Sequence, residues 1–158
     1  MGLVRTLIDC DGERVEPALP QELRELYDGD LHFSASSAAR PFVLANFVST
    51  LDGVVSYEMN GNSGGSAISG SDPADRFIMG LLRASADAVI VGARTLQAVS
   101  SESLWTPEST YPDAKRFYAE YRVNALGQAG ISPARCRERQ RDDWSWRERF
   151  FIRRQCAP

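Results

Sequence analysis

Apolar and polar positions divide the chain into segments of different period. The first clear pattern runs from Leu19 to Leu26. Leu23, Leu26 and Tyr27 recur at helical spacing after Pro20, and Asp28-Gly29-Asp30 supplies a stop, so a short helix is predicted there. Ser34 to Ala39 contains only serine and alanine and reads as a linker. Phe42 to Val48 is almost continuously apolar, broken by Asn46. Its length and β-branched content predict a strand buried on both faces. Ser49-Thr50-Leu51-Asp52-Gly53 ends it as a turn, Val54 to Tyr57 extends as a short hairpin arm, and the glycines and asparagines of Asn60 to Ser66 predict a loop.

A helix with clear start signals follows. Ser71 or Asp72 can cap it, Pro73 suits its first turn, and Asp75 favours the positive end of the dipole. Phe77, Ile78, Leu81 and Leu82 form its expected buried stripe. Ala88-Val89-Ile90-Val91 is a second predicted buried strand, ending at Gly92. Further helices are expected from about Arg94-Thr95-Leu96 and over Pro112 to Tyr121. Strand, helix and strand of these lengths make a βαβ unit with parallel strands, and the fold class is α/β.

Composition adds limits rather than detail. The 158 residues suit one domain, and 43% apolar with 25% charged residues is ordinary for a globular protein. A net charge of −3 gives no overall pull toward nucleic acid or an anionic membrane. No apolar run is long enough to span a bilayer, and Met1 to Cys10 lacks the apolar core of a secretory signal. Met1-Gly2-Leu3-Val4-Arg5-Thr6 fits the loose N-myristoylation pattern, read here as a chance match. Cys10, Cys136 and Cys156 are odd in number and widely spaced, so neither a disulfide framework nor a zinc site is expected, and a cytoplasmic location fits best. His32 is the only histidine. It is expected on the surface rather than in catalysis, and no metal site is expected.

Three regions result. Residues 1–39 form an N-terminal extension and linker, expected to pack rather than to catalyse. Residues 40–130 carry the α/β pattern. Residues 131–158 differ from both. From about Ser132 onward there are eight arginines against four acids, with two of the three tryptophans and two of the three cysteines, and no clear apolar period. That tail can be read as a nucleic-acid-binding arm, with Trp144, Trp146, Phe150 and Phe151 stacking on bases. The plainer reading is a shifted reading frame. Lys115 is the only lysine among 18 basic residues, which suggests G+C-rich coding DNA in which another frame yields Arg, Cys, Trp and Pro.

The order Arg40-Pro41-Phe42, Ser49-Thr50-Leu51-Asp52-Gly53, Ile68-Ser69-Gly70, Leu81-Leu82-Arg83-Ala84 and Asp87-Ala88-Val89-Ile90-Val91-Gly92-Ala93-Arg94-Thr95 resembles the first half of a pyrimidine reductase of riboflavin biosynthesis. That enzyme is the C-terminal domain of the bacterial bifunctional deaminase-reductase, in the dihydrofolate-reductase-like superfamily. The resemblance implies a mostly parallel sheet with flanking helices, and a second half missing from this chain. It implies hydride transfer from NADPH to a ribosylaminopyrimidine 5′-phosphate, opening and reducing the ribose, in an enzyme that often forms homodimers. With half of the cofactor site absent, the chain is expected to be inactive. No catalytic acid or base is identified.

Residue by residue, the resemblance gives Val48 a backbone contact to the nicotinamide end of the cofactor, against the alternative of a plain strand residue. Thr50, Asp52 and Gly53 shape the adjoining turn, where Asp52 is favoured as a structural residue. Gly92 and Thr95 would bring backbone and hydroxyl to NADPH at a helix start, where Thr95 can equally serve as an N-cap. Arg83 matches a substrate-contacting arginine, through phosphate, and is also a cation suited to a helix C-terminus. Ser66 falls near the family's substrate-binding serine and Ala67 near a cofactor-contacting aromatic. Val99 stands where the family often has an acid beside the cofactor. The alternatives are a reductase of another pterin or pyrimidine on the same fold, or a vestigial interaction protein whose sheet edge invites self-association.

Overall fold

The computed structural model describes residues 2–7, 17–33, 41–57, 65–91, 106–128 and 134–137. Helix α1 spans Gln21–Tyr27. Asp28 takes the left-handed conformation (φ 57°) just past its end, and the Asp28 and Gly29 amides close back onto the Arg24 carbonyl, so the predicted stop ends the helix by satisfying an orphan acceptor. Leu3 and Val4 donate their amides to the Leu26 carbonyl, both at 3.0 Å. Asp30 ties down the other end of α1. Its carboxylate accepts from the amides of Ala18 at 2.9 Å and Leu19 at 2.8 Å, and from His32 Nε2 at 2.6 Å. The expectation of a surface histidine is corrected here, because the His32 side chain is only 14% exposed and is paired with Asp30. Burial raises the Asp30 pKa, but the two amides and His32 outweigh it and hold the carboxyl below its ordinary value.

The dominant helix is α3, Pro73–Ser85, preceded by the short α2, Gly65–Ser69. Asp72 caps α3 by accepting from Ala74 and Asp75, as its sequence signals require. Its buried face consists of Phe77, Gly80, Leu81 and Ala84, a helical i, i+3, i+4, i+7 set. Ile78 and Leu82, expected in that stripe, are only half-buried. Gly80 displaces the stripe by one position, since it leaves room for the Tyr118 ring.

After α3 come strand β1 (Ala88–Val91), helix α4 (Pro107–Thr110), a 3-10 turn (Pro112–Ala114), helix α5 (Lys115–Glu120), a π-helical turn (Tyr121–Ala125) and strand β2 (Ala134–Arg137). The expected single helix over Pro112 to Tyr121 is therefore three conformations in series. Leu19, Leu23, Phe77, Leu81, Ala84, Ala114, Tyr118 and Tyr121 form one core. Residues of the N-terminal region thus share a core with α3 and α5. Tyr118 stacks on Phe77 with centroids 6.2 Å apart, and its hydroxyl donates to the Phe77 carbonyl at 3.0 Å. Arg122 is buried beneath α3 and donates through one nitrogen to the carbonyls of Ala84 and Ala86, each at 2.8 Å, capping the helix C-terminus from a distance.

Strand β1 lies where the sequence predicts it and pairs in parallel with β2, Ala88 opposite Ala134 and Val91 opposite Arg137. The partner comes from the arginine-rich region, in which no strand was expected. The other predicted strand is corrected. Phe42 to Val48 is extended but unpaired among the described residues, and Phe47 is 81% exposed. An apolar run states a preference for burial; it becomes a central strand only where another edge and two covering layers are at hand. Val54 to Tyr57 likewise forms no ladder. The helix expected near Arg94, the linker over Ser34 to Ala39 and most of the tail lie outside the described residues.

Candidate functional site

The turn after the apolar segment is built as its residues suggest. The Gly53 amide donates to the Thr50 carbonyl at 3.0 Å, with Gly53 at φ 90°, a conformation that glycine adopts freely. The Thr50 amide reaches the Val54 carbonyl at 2.9 Å, and the Val54 amide returns to the Thr50 hydroxyl at 2.9 Å. That hydroxyl also bonds the Asp52 carboxylate. Thr50 and Asp52 therefore hold the turn with their own side chains.

Val48 leads into this turn and meets the start of α2. A Cβ placed on Gly65 would stand 3.0 Å from Val48 Cγ1, so the absence of a side chain at Gly65 lets the helix approach the extended segment. This puts Val48 beside the turn that carries Ser66 and Ala67. The loop prediction for Asn60 to Ser66 is corrected at its end, since Gly65 and Ser66 are helical; residues 60–64 lie outside the described residues. Local bonding explains the helix. The Ser71 amide closes on the Ser66 carbonyl at 3.0 Å with Gly70 at φ 63°, a glycine-terminated stop that needs only one preceding turn. The Asp72 amide then bonds the Ser69 carbonyl at 3.2 Å. Ser71, also at positive φ (60°), turns the chain directly into α3. Ser69 Oγ, one turn beyond Ser66, is buried without a hydrogen-bond partner among the described residues.

Arg83 is held elsewhere, between α3 and α4. It bonds the Thr110 hydroxyl and points its other amino nitrogen at Met79 Sδ, 3.0 Å away. Burial pushes its pKa down. Arg76, two turns earlier on α3, donates Nε to the Thr110 carbonyl at 2.8 Å. The sequence reading missed Thr110, which lies 27 residues from Arg83. A signal for its helix was present: Thr106-Pro107 is a cap followed by a first-turn proline, and in the structure Thr106 and Ser109 bond each other reciprocally. Gly92, Thr95 and Val99 lie outside the described residues. Among the described residues no three His, Cys, Asp or Glu side chains group as metal ligands, and no helix is long and apolar enough to cross a membrane.

No curated protein and no solved structure matches the chain. A family model does match, over residues 41–120, a stretch that includes the Thr50 turn, α2, α3, β1 and α4. The chain belongs to the family of the RibD C-terminal domain.

Proposed function

Family membership implies a dihydrofolate-reductase-like fold and a pyrimidine-reductase role of the riboflavin-biosynthesis type. We propose, more specifically, that the segment from Val48 through α2 to Arg83 belongs to a site for NADPH and a ribosylaminopyrimidine 5′-phosphate. In this reading the opened ribose gains a hydride at C1′ and its neighbouring nitrogen gains a proton, giving a ribityl chain. Bound NADPH supplies the hydride.

The observation that carries the reading is the close approach of Val48 to Gly65 within the stretch matched by the family. The residues suit a bound nucleotide. The backbone around Val48 is extended and reachable, and a glycine keeps the facing helix clear of side chain. The Ser69 hydroxyl, buried without a partner, can bond a polar group brought to it, which would offset the cost of its isolation. Thr50 is occupied in its turn, so its part is to fix the backbone next to Val48 rather than to offer its hydroxyl.

The test is calorimetric titration of the full chain with NADPH, followed by NADPH oxidation in the presence of 5-amino-6-ribosylaminouracil 5′-phosphate. Binding that weakens in Gly65→Val, whose branched side chain would fill the approach, is the expected result. A chain that binds no NADPH refutes the proposal.

A further inference from the structure

Arg76 and Arg83 lie seven residues apart on α3, on the same face. Both are fastened to a single residue. Arg76 Nε donates to the Thr110 carbonyl at 2.8 Å, and Arg83 bonds the Thr110 hydroxyl. That hydroxyl has one proton, which it donates to the Thr106 carbonyl at 3.2 Å, so its lone pairs remain for Arg83. Thr106 in turn caps α4 with Pro107 in the first turn. Thr110 is therefore a fixed double acceptor, buried at the α3–α4 contact, that orients two guanidinium groups at once.

Two cations held on one residue repel each other. Half-burial deprives Arg83 of water, whereas Arg76 is exposed. The Arg76 amino nitrogens make no hydrogen bond among the described residues, since only its Nε is engaged. The acid on α4, Glu108, supports the charge of Arg122, as does Asp87. An oxyanion seated against the Arg76 and Arg83 groups would relieve the repulsion and use donors whose planar geometry matches phosphate oxygens.

We propose that Arg76 and Arg83 form a two-arginine clamp for a phosphate monoester, with Thr110 as the positioning residue. This inference deepens the function proposed above and rests on it for the role of Arg83; Arg76 and Thr110 are additions from the geometry. The monoester could be the 5′-phosphate of the substrate or the 2′-phosphate of the cofactor.

The test titrates the full chain with ribose 5-phosphate, ribose, NADPH and NADH. Ribose 5-phosphate binding where ribose does not assigns the clamp to the substrate phosphate. NADPH binding about tenfold or more tighter than NADH, lost in Arg76→Gln, assigns it to the cofactor. In either case Arg76→Gln should weaken the phosphate-bearing probe by about tenfold or more. Thr110→Val, nearly equal in shape, should do likewise, and Thr110→Ser, which keeps the hydroxyl, should restore binding. Circular dichroism and thermal melting confirm that each variant is folded, and the exposed Arg76→Gln keeps the test decisive if Thr110→Val does not fold. Equal binding by wild type and folded Arg76→Gln overturns the clamp, as does indifference to phosphate in both probe pairs. NADPH binding that survives in Arg76→Gln, with no effect on either phosphate, would leave the reductase reading intact and remove the clamp. Phosphate-selective ribose 5-phosphate binding without any NADPH binding would do the reverse.

Discussion

Replacing Gly80 with alanine sets two effects of opposite sign against each other. In an exposed helix interior the change stabilises by about 0.5–1 kcal/mol, because glycine loses more backbone freedom on folding. Gly80 is buried on α3, and a Cβ there would lie 2.6 Å from Tyr118 Oη, 2.9 Å from Cζ and 3.0 Å from Cε2. Tyr118 has little room to withdraw. Its ring is stacked on Phe77, its hydroxyl is bonded to the Phe77 carbonyl, and it is 1% exposed. Either the ring tilts and that bond is lost, at about 0.5–1.5 kcal/mol, or α5 moves away from α3 and overpacking costs about 1–3 kcal/mol. The steric cost exceeds the entropic gain, for a net destabilisation of roughly 1–3 kcal/mol. In a chain of this length that lowers Tm by roughly 2–10 °C. Urea denaturation followed by far-ultraviolet circular dichroism measures it. In a double-mutant cycle Tyr118→Phe should recover part of the loss and Tyr118→Leu more, because the first removes the closest atom but leaves Cζ. A Gly80→Ala variant as stable as the wild type would refute the α3–α5 packing described above.

Other expectations follow from single features. Arg122→Met should cost roughly 2–4 kcal/mol in denaturant melts, since it leaves the buried ends of α3 without their charged donor; full stability would mean that water satisfies those carbonyls. Asp30→Asn should cost about 1–3 kcal/mol at neutral pH. Because the folded Asp30 pKa is depressed, its contribution is complete above the ordinary value of 3.8 and is lost as pH falls through the lower folded value; the mutant should therefore show a flatter acid limb in pH-dependent melts. Tyr118 behaves in the opposite sense. Burial raises its pKa, so folding is penalised as pH rises past 10.0, and Tyr118→Phe should reduce alkaline unfolding followed by tyrosinate absorbance. Gly70→Ala should destabilise by about 1–2 kcal/mol, as its φ of 63° is unfavourable with a side chain.

The legible parts of the fold have short-range causes. The Asp72-Pro73 start of α3, the Asp28-Gly29 stop of α1 and the Thr50–Gly53 turn are each specified within four or five residues, and each forms. Strand β1 is a β-branched run bounded by helix-ending and turn residues. The legible part of the site is of the same kind, the Val48–Thr50 backbone and the start of α3. What the sequence concealed depends on distant partners. The apolar content of Phe42 to Val48 does not reveal whether neighbouring edges exist. His32 looked like an isolated surface residue because its partner, Asp30, was read only as part of a helix stop. Arg83 could be matched to a phosphate contact, but its anchor at Thr110 depends on α4 docking against α3. Strand β2 is too short, and its arginines too unlike a core strand, for periodicity to mark it.

The parallel pairing of Ala88–Val91 with Ala134–Arg137 also has a consequence for timing during synthesis. The helical core is complete once Tyr121 has been made, whereas β1 must wait for a partner encoded far downstream. At translation rates of roughly 5–20 residues per second, that wait is about 2–9 s. During it the nascent chain carries a formed helical core beside a strand with an open edge, with Ile90 at its middle largely exposed in the finished fold as well. Such an edge can join the wrong chain, so slowed elongation between Val91 and Ala134 should increase co-translational aggregation more than an equal delay placed before α3.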